Sequence, residues 1–175
     1  MNICKYQKHT PKIAKTAFVD SMAKVIGQVD IAEDASIWPM AVLRGDVNYI
    51  SIGKRTNIQD NSTLHTSPDC EFYPGGRPLI IGENTTVGHN VILHGCTIGN
   101  LCLIGMGSTI LDGTIIQDEV ILGAASFVPS NKTLESGYLY LGSPAKQIRK
   151  LTEQEKQLLR YSADCYVELK NNFSN

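Results

Sequence analysis

The stretch 98-IGNLCL-IGMGST-ILDGTI-IQDEVI-LGAASF-V-128 decides the fold. Ile98, Ile104, Ile110, Ile116, Leu122 and Val128 recur at every sixth position. Working outward, the same spacing runs through Ile81, Val87 and Leu93, and through Ile52, Ile58 and Leu64. It also runs through Ile13, Val19, Val25, Ile31, Ile37 and Leu43, which makes 18 hexads with three breaks in phase. The fourth residue after the aliphatic is usually small, as at Ala35, Ala41, Thr56, Ser62, Thr85, Cys102, Ser108, Thr114 and Ser126. The residue directly after it is often glycine, as at Gly53, Gly82, Gly88, Gly99, Gly105 and Gly123. A period of six is neither the helical period nor strand alternation. Small residues at fixed phase suit tight corners where backbones pass closely.

These hexads resemble the hexapeptide-repeat proteins over roughly residues 11–130. That resemblance implies an all-β solenoid, a left-handed parallel β-helix in which three hexads close one triangular coil. Eighteen hexads then give about six coils, about 4.8 Å apart, with the aliphatics as an interior ladder. Residues 1–150 are expected to hold the β-helix with short N-terminal and crossover segments. Residues 151–175 are expected to form a C-terminal α-helix of the same domain, packed along the solenoid.

Composition is consistent with this reading. Of 175 residues, 42% are apolar, enough for one domain with a core. A net charge of −1 makes no nucleic acid or acidic membrane an obvious partner. The N-terminal residues carry no apolar signal segment, and no stretch approaches a membrane span. Five cysteines without a C-x-x-C pair suggest a reducing cytoplasm, with Cys96 and Cys102 as small packed residues.

After Val128 the pattern changes. Leu139, Leu141 and the turn at Gly142, Ser143 and Pro144 read as a short crossover. Thr152 with Glu155 three residues later reads as a capping box opening the helix. Leu158, Cys165 and Leu169 share one stripe of that helix, with Leu159, Tyr166 and Phe173 beside it.

The repeat also says where polar side chains point. His65 and His94 each directly follow an aliphatic, in the ninth and twelfth hexads, so they stack on one face one coil apart. That places two imidazoles within reach of one metal ion. His89 is the second residue after Val87 and lies on the neighbouring face, out of reach within its own chain. In a cyclic trimer, a neighbour's His89 would complete three ligands and leave a fourth position for water, the arrangement of a catalytic zinc. His9 lies outside the pattern and is read as a surface residue. Arg44 sits one coil before His65, with Asp46 two residues on, while Asp60 lies under His89. These three are read as charged pairs at a subunit contact, since unpaired buried charge is costly. Gln59, beside His89, could orient a metal-bound hydroxide or the substrate, and Asn57 stands just before it.

With those residues in place, the chain resembles the γ-class carbonic anhydrases. The resemblance rests on Arg44-Gly45-Asp46, Asn57-Ile58-Gln59-Asp60, His65, Gly88-His89-Asn90-Val91 and Leu93-His94-Gly95-Cys96. The tail from Gly137 to Pro144 is similar to a bacterial subgroup of that family. The resemblance implies a homotrimer with metal sites shared between subunits, His65 and His94 coming from one chain and His89 from the next. It implies zinc, with iron or cobalt as alternatives, and interface ion pairs at Arg44, Asp46 and Asp60. It puts Gln59 beside the metal-bound water and Tyr161 near the site, with Asn57 as a further catalytic candidate. The implied activity is reversible hydration of carbon dioxide to bicarbonate by a metal-bound hydroxide. The chain departs from the best-studied active members at Val47, where they carry a proton-transferring glutamate, and in residues 66–80, which lack their acid-rich loop. Asp69 and Glu71 are the acids available there for proton transfer. A metal-dependent thioesterase, a hexapeptide acyltransferase and a non-catalytic metal-binding trimer scaffold stay open as alternatives.

Overall fold

The computed structural model describes residues 2–173; Met1 and the last two residues of the expected 151–175 segment lie outside them. It is a parallel β-solenoid closed by a C-terminal helix. From Val25 to Val128 each hexad aliphatic is at most 2% exposed, so the ladder read from the sequence is the core. Burying one such side chain stabilises by roughly 1.5–3 kcal/mol. Ile13 and Val19, near the N-terminal end, are only partly buried.

The stack is longer than the six coils expected. One face carries eight strands, from Phe18–Val19 through Tyr138–Gly142 to an antiparallel closing strand, Ala145–Lys150, so about eight layers are present. The reason is visible in the phase. The hexad spacing continues past Val128 to Leu134 and Tyr140, which are 4% and 5% exposed and pair beside Ile116 and Leu122. Near the other end Ile3 pairs with Val25 outside any six-residue spacing. The expected crossover is thus a last rung followed by a hairpin.

Two strands, Lys24–Ile31 and Val42–Ile52, bend around a corner and join two faces into one twelve-stranded sheet. At other corners the small residues have a polar task. Thr56 Oγ1 donates to the Gly82 carbonyl at 2.7 Å, Ser62 Oγ to Gly88 at 3.0 Å and Thr85 Oγ1 to Gly99 at 2.9 Å. These bonds satisfy buried corner carbonyls of the next coil. The glycine after the aliphatic answers to crowding: a Cβ on Gly82 would lie 2.7 Å from the Gly99 carbonyl oxygen.

The helix spans Glu153–Phe173, and its capping box is formed. The Thr152 N–H donates to Glu155 Oε2 at 2.8 Å and the Glu155 N–H to Thr152 Oγ1 at 3.2 Å. The buried stripe differs from the one led by Leu158 and Leu169, which are 48% and 40% exposed. Leu159, Ala163 and Lys170 face the solenoid instead, and Tyr166 meets Trp38 edge-on at 5.6 Å. Lys170, 4% exposed, pairs with Asp34 at 3.1 Å. The apolar residues at positions 158, 165 and 169 lie a step around the helix from the side that these partners select. Among the described residues no helix is long and apolar enough to cross a membrane.

Candidate metal centre

The register that stacks Leu64 on Leu93 also stacks His65 on His94. Their rings meet at 60°, and His65 Nδ1 lies 3.1 Å from His94 Nε2. The remaining nitrogen of each ring faces a carboxylate. His65 Nε2 is 2.9 Å from Asp46 Oδ1, and His94 Nδ1 is 2.9 Å from Asp112 Oδ2. A carboxylate accepts, so each imidazole places its proton there and turns a bare nitrogen toward the other ring. Two bare nitrogens 3.1 Å apart repel unless a cation or proton lies between them. Tetrahedral zinc with nitrogens at 2.0–2.1 Å sets its ligands about 3.3 Å apart, within a few tenths of this spacing. The donor pair therefore fits a metal.

His89 follows the same plan on the adjacent face. Its Nδ1 is 2.9 Å from Asp60 Oδ2, which leaves Nε2 free on a side chain 48% exposed. Among the described residues no three His, Cys, Asp or Glu side chains of one chain gather into a metal site. The single chain thus holds a two-nitrogen half-site and, apart from it, an outward-facing third imidazole.

The other expected residues fall into three groups. Arg44 Nη1 donates to Asp46 Oδ2 at 2.6 Å within the chain. Burial works to raise the Asp46 carboxyl, but hydrogen bonds from His65 and Arg44 outweigh it and hold the group below its usual range. Asn57 and Gln59 lie under the helix, 0% and 5% exposed. Gln59 Nε2 donates to Asn57 Oδ1 at 3.1 Å, and Asn57 Nδ2 donates to Thr86 Oγ1 at 3.0 Å. Thr86 in turn meets Ser162 of the helix at 2.9 Å. Tyr161 stands on the outward side of the helix, 65% exposed, in a cleft with Arg149, Glu155 and Leu158. The helix tyrosine beside the His89–Asp60 pair of its own chain is Tyr166, whose phenol is raised by burial and then by the Asp60 charge.

The acids of residues 66–80 are both exposed. Asp69 Oδ1 accepts the Gly75 N–H at 2.8 Å, so it is tied into its own loop. No such bond holds Glu71 among the hydrogen bonds and ion pairs of the described residues. Cys96 and Cys102 are 1% exposed, and burial pushes the Cys102 thiol up to about 12, so both are packing groups. Sequence reasoning missed Asp112 and Ser67. Asp112 sits one coil beyond Gly95, not in the histidines' own column. An aspartate stacked over a glycine beside a histidine was the available signal.

Comparison with known proteins bears on the fold and the family. A family model described as "Bacterial transferase hexapeptide (six repeats)" matches residues 78–112. Protein YrdA of Escherichia coli K12 is 56% identical over 168 residues, covering 96% of this chain and 91% of that protein. The protein named carbonic anhydrase of Geobacillus kaustophilus is 45% identical, covering 93% of this chain and 86% of its own length. Mitochondrial gamma carbonic anhydrase 2 of Arabidopsis thaliana is 43% identical over 91% of this chain and 57% of its own length. A crystal structure of a hexapeptide transferase family protein from Anaplasma phagocytophilum superposes with a TM-score of 0.91 at 39% identity, covering 98% of this chain and 97% of that one. With that similarity over nearly its whole length, the chain belongs to the γ-class carbonic anhydrase-like family of hexapeptide-repeat proteins.

Proposed function

We propose that the protein is a metal-dependent carbonic anhydrase-like lyase, interconverting carbon dioxide and bicarbonate at centres shared between subunits of a cytoplasmic homotrimer. The observation that carries this reading is the shared plan of the three histidines. Each gives one nitrogen to a carboxylate and keeps the other for a metal. His65 and His94 of one chain and His89 of the next would hold zinc, with iron or cobalt as alternatives. When bound, such an ion supplies Lewis-acid activation of water near neutral pH.

The chain's own residues do the rest. Asp46 and Asp112 hold the imidazole protons away from the half-site, and Asp60 does so for His89. Asn57 fixes the amide of Gln59, whose carbonyl oxygen is the group left to orient a reactant across the contact. Arg44 and Asp46, paired within the chain, carry the charge expected at the subunit contact. Proton export falls to Glu71, because Asp69 is engaged in its loop and Val47 offers no acid.

Stopped-flow carbon dioxide hydration on metal-quantified protein, with a His94→Ala control, tests the reading. Activity should track one metal per chain and vanish in the control. Metal binding without hydration would move the assignment to a thioesterase or a non-catalytic scaffold. The transferase name of the matching hexapeptide model favours a second reading, an acyltransferase, which coenzyme A binding would reveal.

A further inference from the structure

Asp112 is held from two sides, by His94 and by Ser67. Its Oδ1 and Oδ2 lie 3.0 and 2.9 Å from His94 Nδ1, and Ser67 Oγ donates to Oδ1 at 2.6 Å. Ser67 is 7% exposed and stands at the root of the excursion formed by residues 66–80. Its backbone exchanges hydrogen bonds with Arg77 at 3.0 Å each way, and its carbonyl accepts from Asn48 Nδ2 at 3.2 Å. Gly95, the residue after His94, has φ +52°, and a Cβ there would overlap the Asp112 carboxylate. The glycine therefore clears the space through which Asp112 reaches the ring from the next coil.

We infer that Asp112, pinned by Ser67 and admitted by Gly95, is a positioning residue that selects the His94 tautomer and thereby ties the 66–80 excursion to the metal half-site. This rests on the metal-centre reading. The carboxylate can only accept, so it draws the His94 proton to Nδ1 and bares Nε2, the nitrogen that faces His65. An asparagine at 112 keeps the shape but not this selection. Ser67 would donate to its carbonyl at the Oδ1 position, which puts the amide NH2 at the Oδ2 position, 2.9 Å from His94 Nδ1. The NH2 then competes with a carbonyl already engaged by Ser67 for that nitrogen and favours the ring proton on Nε2, where it blocks the metal.

The test uses full-length protein stripped of metal. Cobalt affinity is read from its visible absorption, and the His94 tautomer from imidazole nitrogen chemical shifts. Wild-type protein should carry the His94 proton on Nδ1. Asp112→Asn should move it to Nε2 and weaken cobalt binding by about 10–100-fold. Ser67→Ala should keep the wild-type tautomer with a smaller loss of affinity. Gly95→Ala should reproduce the Asp112→Asn tautomer, since the added methyl displaces the carboxylate. An unchanged tautomer in folded Asp112→Asn protein overturns the inference, and so does cobalt affinity within about twofold of wild type. If wild-type protein binds no cobalt, the metal-centre reading fails, while the nitrogen shifts still decide what Asp112 does.

Discussion

The two halves of the candidate centre share a plan but not a setting. His65 and His94 have side chains 18% and 32% exposed, and their carboxylates, Asp46 and Asp112, are 17% and 19% exposed. Each of those carboxylates also takes a second donor, Arg44 for Asp46 and Ser67 for Asp112. His89 and Asp60 are 48% and 40% exposed on the adjacent face. One half is preorganised inside a single chain; the other is presented outward. The coil stack alone aligns two imidazoles of one face, whereas under the proposed function the third, on the next face, would be brought in by a second copy.

The largest effect on the fold is expected beneath the preorganised half. Leu93, fully buried directly before His94, should cost about 2–5 kcal/mol when replaced by alanine, measured by denaturant unfolding of metal-free protein. Next come the carboxylates. Asp46→Asn should weaken zinc binding by about 10–100-fold, and the more exposed Asp60→Asn by less, in competition with a chelator. Equal losses would remove the distinction between the halves.

The smallest effect lies at the helix cap, which makes no hydrogen bond to either half among the described residues. Thr152→Ala should cost about 1 kcal/mol in thermal or denaturant unfolding. The Glu155 carboxyl is held down to about 2, first by hydrogen bonds from Arg149 and then by the Thr152 N–H. A carboxylate depressed in the fold stabilises above its ordinary pKa, 4.5 here, and that contribution is lost as pH falls toward 2. Helix circular dichroism should therefore be insensitive to this group above pH 4.5 and weaken below it. Glu155→Gln should flatten that acid limb.

The interior was the legible part of this molecule. A solenoid repeats its geometry, so a spacing of six names the buried residue from Val25 to Val128 without any long-range knowledge. The count failed at the ends. Tyr140 occupies an aliphatic position as an aromatic, and its hydroxyl finds partners in the Glu135 N–H and Gln147. Ile3 joins the stack through an irregular segment. The His65–His94 stack was legible because register carries side chains with it. Asp112 was not, because its reach depends on the missing Cβ of Gly95 and on a serine 45 residues away in sequence. The buried helix stripe was likewise hidden: apolar spacing alone did not reveal that Lys170 would be buried against Asp34 while Leu158 and Leu169 face outward.

A centre shared between chains can be rebuilt from two defective ones. Two differently tagged chains, one His94→Ala and one His89→Ala, are produced together, and assemblies carrying both tags are isolated. Around a closed threefold ring, every mixed trimer contains one junction where an intact His65–His94 pair meets an intact His89. Mixed trimers should therefore regain about one-third of the wild-type metal content, with hydration activity in proportion, while either variant alone has almost none. Mixed trimers as poor in metal as their parents would rule out a centre shared between chains.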